Sequence, residues 1–221
     1  MADQLYLSLW FPNFRFEALP AALVSVLRQF ALISASPEGK RVTAASVYPI
    51  SFTEAPTYQR IYVNDDRAQD SEASIIENAV AEATEQLHDD MAYEFEMKWK
   101  LWMPESGATS DPDAELDTLW KLQPSTVRIL GFGPGFDDAS YEQNGHIRID
   151  FGLDTPWVMD DTVEDSELDD LAQKRIQQNV EMLLAFTLSV EKHCGISSRL
   201  LWTESGEPLA EKLIARLQRL N

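Results

Sequence analysis

The segment from Ser166 to Ser205 reads SELDDLAQKRIQQNVEMLLAFTLSVEKHCGISSRLLWTES and predicts a long amphipathic helix, a glycine stop and a strand. Its apolar positions recur every three or four residues, which is the spacing of one helix face. They are Leu168, Leu171, Ala172, Ile176, Val180, Leu183, Leu184, Thr187 and Val190. Gly195 suits the left-handed position that ends many helices. Such a helix would be about 40 Å long, enough to cross a whole sheet.

A shorter version of this pattern occurs earlier in the chain. A predicted helix from Ser71 to His88 leads into a predicted strand from Tyr93 to Leu101. The sequence WMPESG at 102–107 then echoes WTESG at 202–206. The echo predicts that the two halves of the chain repeat one order of elements.

The predicted fold is α+β, with a mainly antiparallel sheet and long helices packed on one of its faces. We expect an internal duplication in which residues 1–103 form a first α+β repeat and residues 104–221 form a second. The two repeats would share one sheet and one core. The order of strand, helix, several strands and long helix resembles that of TATA-binding-protein-like folds. This resemblance rests on element order alone, so it implies a fold and no functional residue.

The remaining elements follow from periodicity and turn residues. In the first repeat we expect a helix over 16–30 and strands over 5–11, 31–36, 41–48 and 58–63. The strands 31–36 and 41–48 would form a hairpin. In the second repeat we expect a linker over 104–113, a helix over 113–122, strands over 126–132, 146–151 and 197–203, and a terminal helix from Pro208.

The predicted strand from Tyr93 to Leu101 has the clearest alternation in the chain. Its apolar positions are Tyr93, Phe95, Met97, Trp99 and Leu101, and its charged positions are Glu94, Glu96, Lys98 and Lys100. Successive side chains of a strand point to opposite faces. One sheet face must therefore be buried, and the other must be solvated or carry ion pairs between strands.

The charge of the chain restricts its partners. The 221 residues include 18 Lys and Arg against 37 Asp and Glu, for a net charge of −19. A nucleic-acid partner needs a basic footprint and an anionic membrane attracts basic segments, so neither is predicted. A basic protein partner would suit this charge.

The start lacks a secretory pattern, no apolar stretch approaches the roughly 20 residues of a membrane span, and the single cysteine excludes an intramolecular disulfide. A cytoplasmic location is expected.

A group of charged residues is one candidate site. His146, Arg148 and Asp150 occupy alternate positions of one predicted strand, so their side chains share a face. If this strand pairs near Arg128, or near the strand that bears Glu94, Glu96, Lys98 and Lys100, the group contains an acid, a base and cations, as a general acid–base site or an anion site requires. An open sheet face with ion pairs between strands requires the same residues.

Three tryptophans form a second candidate. Trp10, Trp102 and Trp202 each lie near the end of a predicted strand. The alternation places Trp10 and Trp102 on the polar face, where a large aromatic side chain is unexpected. They would rim a ligand pocket or mark a protein interface, or they would be covered by loops or by the other repeat.

Other motifs fit structural roles better than chemical ones. GFGPGF at 131–136 is no phosphate loop by spacing and predicts a flexible connection. The acid run DDTVEDSELDD at 160–170 lacks the spacing of a calcium loop. His88 and His193 suit helix ends, and Cys194 suits a small buried apolar position. We predict no catalytic residue, no metal and no cofactor.

These observations favour a non-enzymatic binding or interaction protein with a basic protein partner, acting through its open sheet face or its acidic flank. The alternative is a small-molecule-binding protein or an enzyme. Its pocket would lie between the sheet and the long helices and would be rimmed by the three tryptophans. A homodimer formed through the apolar helix stripes is the third hypothesis.

Overall fold

The computed structural model describes residues 3–34, 40–62, 72–105, 119–138, 140–157 and 170–205. Over these residues the chain forms one seven-stranded sheet, and every strand pair is antiparallel. The strands are β1 (Gln4–Trp10), β2 (Ala44–Pro49), β3 (Tyr58–Ile61), β4 (Met91–Glu105), β5 (Leu119–Phe132), β6 (Ile147–Leu153) and β7 (Ser198–Thr203). Their spatial order is β3-β2-β4-β5-β6-β1-β7.

Three long helices cover one face of this sheet. The helices of the described residues are α1 (Leu19–Ile33), α2 (Glu72–Ala83), the short α3 (Ser140–Asn144) and α4 (Asp170–His193). Helix α1 contacts both α2 and α4. On the sheet, α1 contacts β5, α2 contacts β2 and α4 contacts β4. The predicted α+β class, the antiparallel sheet and the helix layer are therefore confirmed.

The hydrophobic core lies between the sheet and the helix layer. The five predicted core positions of β4 are all buried, from Tyr93 to Leu101. The centre of the core is aromatic: Trp99 packs on Phe30, Phe151 and Trp157, with ring centroids 5.3–5.9 Å apart. The periodicity of β4 therefore identified the buried face correctly, because the side chains of a strand alternate between faces.

The long helix and its glycine stop agree with the sequence prediction where the structure describes them. Helix α4 ends at His193, and Gly195 has a φ of +64°. Its buried apolar stripe comprises Ala172, Ile176, Val180, Leu183, Phe186 and Val190.

The predicted strand over 31–36 and its hairpin with 41–48 are wrong. Helix α1 continues to Ile33, and β2 pairs with β3 and β4 instead. Short apolar runs fit a buried helix as well as a strand. Here the helix prevails because Phe30 belongs to the buried face of α1 and packs on Trp99 and Phe186.

The predicted helix over 113–122 is wrong at its end. Strand β5 begins at Leu119, and Leu122 pairs with Trp102 in a long hairpin that β4 and β5 form. Residues 113–118 lie outside the described part of the chain. Pairing with β4 overrides any local helical preference there, since β4 offers a continuous ladder partner.

The strand order confirms neither the duplication nor the TATA-binding-protein-like order. Strand β1, from the first predicted repeat, lies between β6 and β7 of the second. Within the described residues the second repeat has no counterpart of the unit of β1 and α1. The boundary between residues 103 and 104 falls inside β4, and the division into two repeats stays a prediction.

One described segment is apolar enough to span a membrane by length and composition alone, contrary to the sequence expectation. It runs over Phe16–Ile33, which is a 3₁₀ turn at Phe16–Ala18 followed by α1. The helix buries Leu23, Val26 and Leu27 in the core. Core helices of globular domains commonly have this pattern, since one apolar face packs on neighbouring elements.

Several predicted features lie outside the described residues. They are most of the linker over 104–113, most of the acid run over 160–170 and the terminal helix from Pro208.

Candidate functional site

The face of the sheet opposite the helices, called here the open face, carries two rows of side chains that run across the strands. The pairing register sets both rows. The first row is Glu96, Arg128, Asp150, Tyr6 and Trp202. The second row is Glu94, Leu130, Arg148, Ser8 and Leu200. Neighbouring strands lie about 4.8 Å apart, so Glu94 and Arg148 stand roughly 10 Å apart on either side of Leu130.

The first row contains an ion-pair network. Arg128 lies between two carboxylates, with its Nε 3.5 Å from Glu96 Oε1 and an Nη 3.8 Å from Asp150 Oδ2. Asp150 Oδ1 also accepts a hydrogen bond from the backbone N–H of Gly152 at 2.8 Å. Partly exposed pairs of this kind contribute about 0–1 kcal/mol each to stability. The first row therefore behaves as an ordinary solvated sheet face.

Arg148, in the second row, has different surroundings. Its guanidinium carbon lies 5.1 Å from the ring centroid of Tyr6, 5.2 Å from that of Phe132 and 5.9 Å from that of Phe52. Its Nε is buried and has no hydrogen-bond partner. Burial lowers the pKa of the Arg148 guanidinium, and the negative charge of nearby groups, chiefly Tyr6 and Asp150, opposes this effect.

The acid of the second row is also buried. Glu94 is only 9% exposed, and burial raises the pKa of its carboxyl group, an effect that the charge of Arg128 opposes. Burial likewise raises the pKa of the neighbouring Tyr48 hydroxyl. Ionisable groups that burial perturbs, gathered in one concave region, are a physical signature of functional sites.

The β4, β5 and β6 residues of both rows line a cleft of about 790 Å³. Its described lining contains four cationic side chains, Arg41, Lys98, Arg128 and Arg148, and three acidic ones, Glu94, Glu96 and Asp150. The lining is thus slightly basic, although the whole chain carries a net charge of −19. This local reversal of charge favours an anionic ligand.

A strained loop closes one end of the cleft. Ile50 has a φ of +63°, which is costly for a β-branched residue. Its N–H donates to the backbone C=O of Asp90, and its C=O accepts from the backbone N–H of Asp137, each at 2.7 Å. Two residues later, Phe52 packs on Tyr48 with ring centroids 5.4 Å apart. Backbone strain of this kind persists only where surrounding contacts impose it, and it often occurs at functional sites.

Arg128, Arg148 and Asp150 all line the cleft, whereas His146 does not. His146 is buried, its ring stacks on Phe14 and Tyr141 at centroid distances of 4.2 and 4.8 Å, and its Nδ1 accepts the backbone N–H of Phe11 at 2.9 Å. Burial lowers the pKa of the His146 imidazole, which favours this neutral, accepting form. The contacts of His146 suit a structural role.

The three tryptophans do not share one rim. Trp202 stacks on Tyr6 with centroids 4.6 Å apart and donates from Nε1 to Ser8 Oγ at 3.0 Å. Trp10 lies opposite Ser198, four residues along β7 from Trp202, a separation of about 13 Å. Trp102 is on β4, three strands away from β1, where the guanidinium carbon of Arg175 lies 3.5 Å from its ring centroid.

Phe52 is the site residue that sequence reasoning missed. It lies between the predicted strands 41–48 and 58–63, and an isolated aromatic residue in this connection is the available signal. Glu94 was recognised as part of the charged face of β4, but its burial depends on β2 and on the cover that loops provide. Neither property follows from periodicity.

Backbone hydrogen bonds hold the glycine-rich segment 131–136 in place. The sequence predicted a flexible connection there instead. The N–H of Gly133 donates to Met91 O at 2.8 Å, and the N–H of Gly135 donates to Asp89 O at 2.7 Å. These donors are therefore not directed at a ligand. Cys194 accepts a hydrogen bond from Ser25 Oγ at 3.3 Å, and burial raises the pKa of its thiol.

A smaller cleft of about 280 Å³ lies between α2 and the strands β2 and β3. Of its two acids, Glu82 and Glu85, Glu82 accepts hydrogen bonds from Tyr58 at 3.4 Å and Tyr62 at 3.3 Å and pairs with Arg60. None of the three tryptophans lines this cleft. Among the described residues, no group of three or more His, Cys, Asp or Glu side chains is arranged to hold a metal ion.

Comparison of this chain with models of protein families, with curated proteins and with solved structures finds no match.

Proposed function

We propose that this protein is a binding protein that holds a small ligand in the cleft of the open sheet face. The observation that carries the proposal is the second row, where the buried Glu94 and the half-buried Arg148 line the cleft without an ion pair to each other. Burying charged groups costs free energy unless they are compensated. A ligand that supplied an acceptor for the guanidinium of Arg148 would recover part of that cost.

The size of the cleft supports this proposal. Pockets for small molecules usually measure about 300–1,000 Å³ and combine apolar walls with a few polar groups. A cleft of about 790 Å³ lies inside this range. Leu130 supplies an apolar floor, and Phe52 and Tyr48 supply an aromatic end wall.

The sequence-based alternative placed a ligand pocket between the sheet and the long helices. That space is occupied by the buried apolar side chains of the core, such as Trp99, Phe151 and Phe186. The open face retains a concave surface, so the ligand is assigned to it.

A fragment screen by ¹⁵N NMR tests the proposal. We expect binders to shift the amide resonances of residues lining the cleft, such as Ser46, Glu94 and Arg148. Ala44→Trp places a large ring in the cleft and should abolish these shifts. Lys100→Trp adds the same ring to the open face outside the cleft and should preserve them. A screen in which no fragment shifts the cleft resonances would contradict the proposal.

A second candidate function, a complex with a basic protein, rests on the net charge of −19. Such a complex should weaken as salt rises, because the Debye length falls from about 10 Å at 0.1 M to about 3 Å at 1 M. Light scattering over this range would detect it. A dimer of the chain held by apolar helix faces should instead persist at high salt.

A further inference from the structure

We infer that the ligand of the open-face cleft carries a carboxylate group, and that the guanidinium of Arg148 binds it through paired hydrogen bonds. This inference rests on the proposed binding function and deepens it by naming the chemical class of the ligand. The class is an organic monocarboxylate with an apolar body.

The first observation is the hydrogen-bonding state of Arg148. A guanidinium has five N–H donors in a rigid planar fork that matches a carboxylate. Within the described part of the chain, Arg148 makes no hydrogen bond and no ion pair, and its Nε is buried without a partner. The rings of Tyr6, Phe132 and Phe52 surround it without supplying a charged acceptor. A bound carboxylate would supply two.

Arg148 differs in its ion pairing from the other arginine at the centre of the cleft. Arg128 already has a carboxylate on either side, Glu96 and Asp150. A ligand carboxylate at Arg128 would have to displace these paired acids, whereas no described carboxylate lies within ion-pair distance of Arg148. Arg148 is therefore the better anchor, although the two residues occupy neighbouring rows of the same face.

The charges around Arg148 favour a carboxylate ligand over a phosphate. Asp150, Asp137 and Glu94 all lie close enough to Arg148 to act on it electrostatically. A phosphate group with nearly two negative charges would be repelled by three carboxylates, whereas a monocarboxylate adds a single charge. The planar fork also pairs with a planar carboxylate through two parallel hydrogen bonds.

The apolar lining of the cleft bears on the rest of the ligand. Leu130 stands between Glu94 and Arg148 in the second row and forms an apolar floor. Phe52 is 39% exposed and closes the end of the cleft beside Tyr48. An apolar or aromatic body attached to the carboxylate would cover these surfaces, which favours hydrophobic burial over solvent contact.

The experiment is an NMR titration of the ¹⁵N-labelled full chain with sodium benzoate, benzamide and inorganic phosphate as separate probes. The readout is the Nε–Hε resonance of Arg148, assigned by its absence in Arg148→Met. Benzoate should shift this resonance saturably. Benzamide, which has the same ring without the charge, and phosphate should each bind at least about tenfold more weakly, since charge-assisted hydrogen bonds contribute roughly 1.5–3 kcal/mol.

Two variants and a control complete the experiment. Arg148→Met should weaken benzoate binding, followed through the backbone amides of the cleft, at least about tenfold, and Arg148→Lys should weaken it by a smaller factor because it keeps the charge and loses the fork. Lys100→Met removes a cation from the open face outside the cleft and should change the affinity by less than about twofold. If Arg148→Met fails to fold, the loss of the Nε–Hε resonance in Arg148→Lys assigns it instead, and the wild-type titration still decides the result.

The possible results distinguish this inference from the proposed function. Equal binding of benzamide and benzoate, tighter binding of phosphate, or full benzoate affinity in Arg148→Met would overturn the carboxylate assignment while leaving a ligand cleft in place. If no benzoate binding occurs but neutral fragments shift the cleft resonances, the assignment also fails and the binding function stands. If no probe or fragment shifts the cleft, both fail.

Discussion

The side-chain amide of Asn179 completes the hydrogen bonding of Trp102. Asn179 Oδ1 accepts the backbone N–H of Trp102 at 2.9 Å, and Nδ2 donates to the backbone C=O of Trp102 at 2.9 Å. At this point β4 has passed beyond its described pairing with β2, which ends at Glu96. Helix α4 thus replaces a neighbouring strand with one buried amide, because unpaired backbone groups are costly away from water.

Asn179→Ala should lower the free energy of unfolding by about 3 kcal/mol or more, since it removes partners from Trp102 N, Trp102 O and Pro156 O. Denaturant unfolding followed by tryptophan fluorescence would measure the loss. Gln173→Ala removes an exposed amide from the same helix and should change the free energy by less than about 0.5 kcal/mol. Equal effects of the two variants would refute a bridging role for Asn179.

Arg148→Met should increase the stability of the protein, by roughly 1 kcal/mol, because a buried and unpaired charge is replaced by an apolar chain. Arg128→Met should instead decrease stability, by up to about 1 kcal/mol, because it leaves Glu96 and Asp150 without their cation. Thermal unfolding of both variants would measure these shifts. A loss of stability in Arg148→Met would show that the aromatic contacts of the guanidinium already compensate its burial.

His146 should make the fold sensitive to acid. Burial lowers the pKa of its imidazole in the folded protein, so the unfolded chain binds a proton more readily. Stability should therefore be fully present above the unfolded pKa of about 6.5 and should fall as the pH decreases toward the lowered folded value. Denaturant unfolding between about pH 7.5 and about pH 5 would detect the slope.

The matched variant for this pH dependence is His146→Asn, which keeps an acceptor for the N–H of Phe11 and removes the titrating group. Glu94 has a raised pKa and contributes with the opposite sign, because its stabilising effect is lost as the pH rises. The difference between wild type and His146→Asn isolates His146. An unchanged slope in the variant would assign the pH dependence to other groups.

Gly133→Ala should be strongly destabilising, whereas Gly135→Ala should be mild. A Cβ atom on Gly133 would lie 2.2 Å from the backbone oxygen of Asp89, and one on Gly135 would lie 3.3 Å from the same atom. Because backbone must move in the first case, we expect a loss of at least about 2 kcal/mol for Gly133→Ala and less than about 1 kcal/mol for Gly135→Ala. Urea unfolding of the two variants would compare them, and a mild effect of Gly133→Ala would mean that the loop can shift away from Asp89.

The two faces of strand β4 could be predicted from the sequence pattern. The alternation from Tyr93 to Leu101 identified the buried face and the charged face, because side-chain direction in a strand is a local property. The stretch 31–33 shows the limit. Its residues extend α1, and only contact with the surrounding core distinguishes a short buried helix segment from a strand.

The candidate site was predictable as a group but not in its internal arrangement. Sequence spacing placed His146, Arg148 and Asp150 on one face of a predicted strand, and β6 pairs Asp150 with Arg128 of β5. The separation of His146 from the cleft depends on the rings of Phe14 and Tyr141. Phe52 reaches the cleft through a loop whose path depends on hydrogen bonds to Asp90 and Asp137.

The sequence by itself therefore determined the α+β class, the long helix ending before Gly195, the two faces of β4 and the acidic charge of the chain, because each depends on residues that are close in sequence or on composition. The tertiary structure decided the strand order, which arginine is paired and which is not, and where the cleft lies. Those properties depend on pairing between distant strands: Arg128 stands between Glu96 and Asp150, and Arg148 is left among aromatic rings.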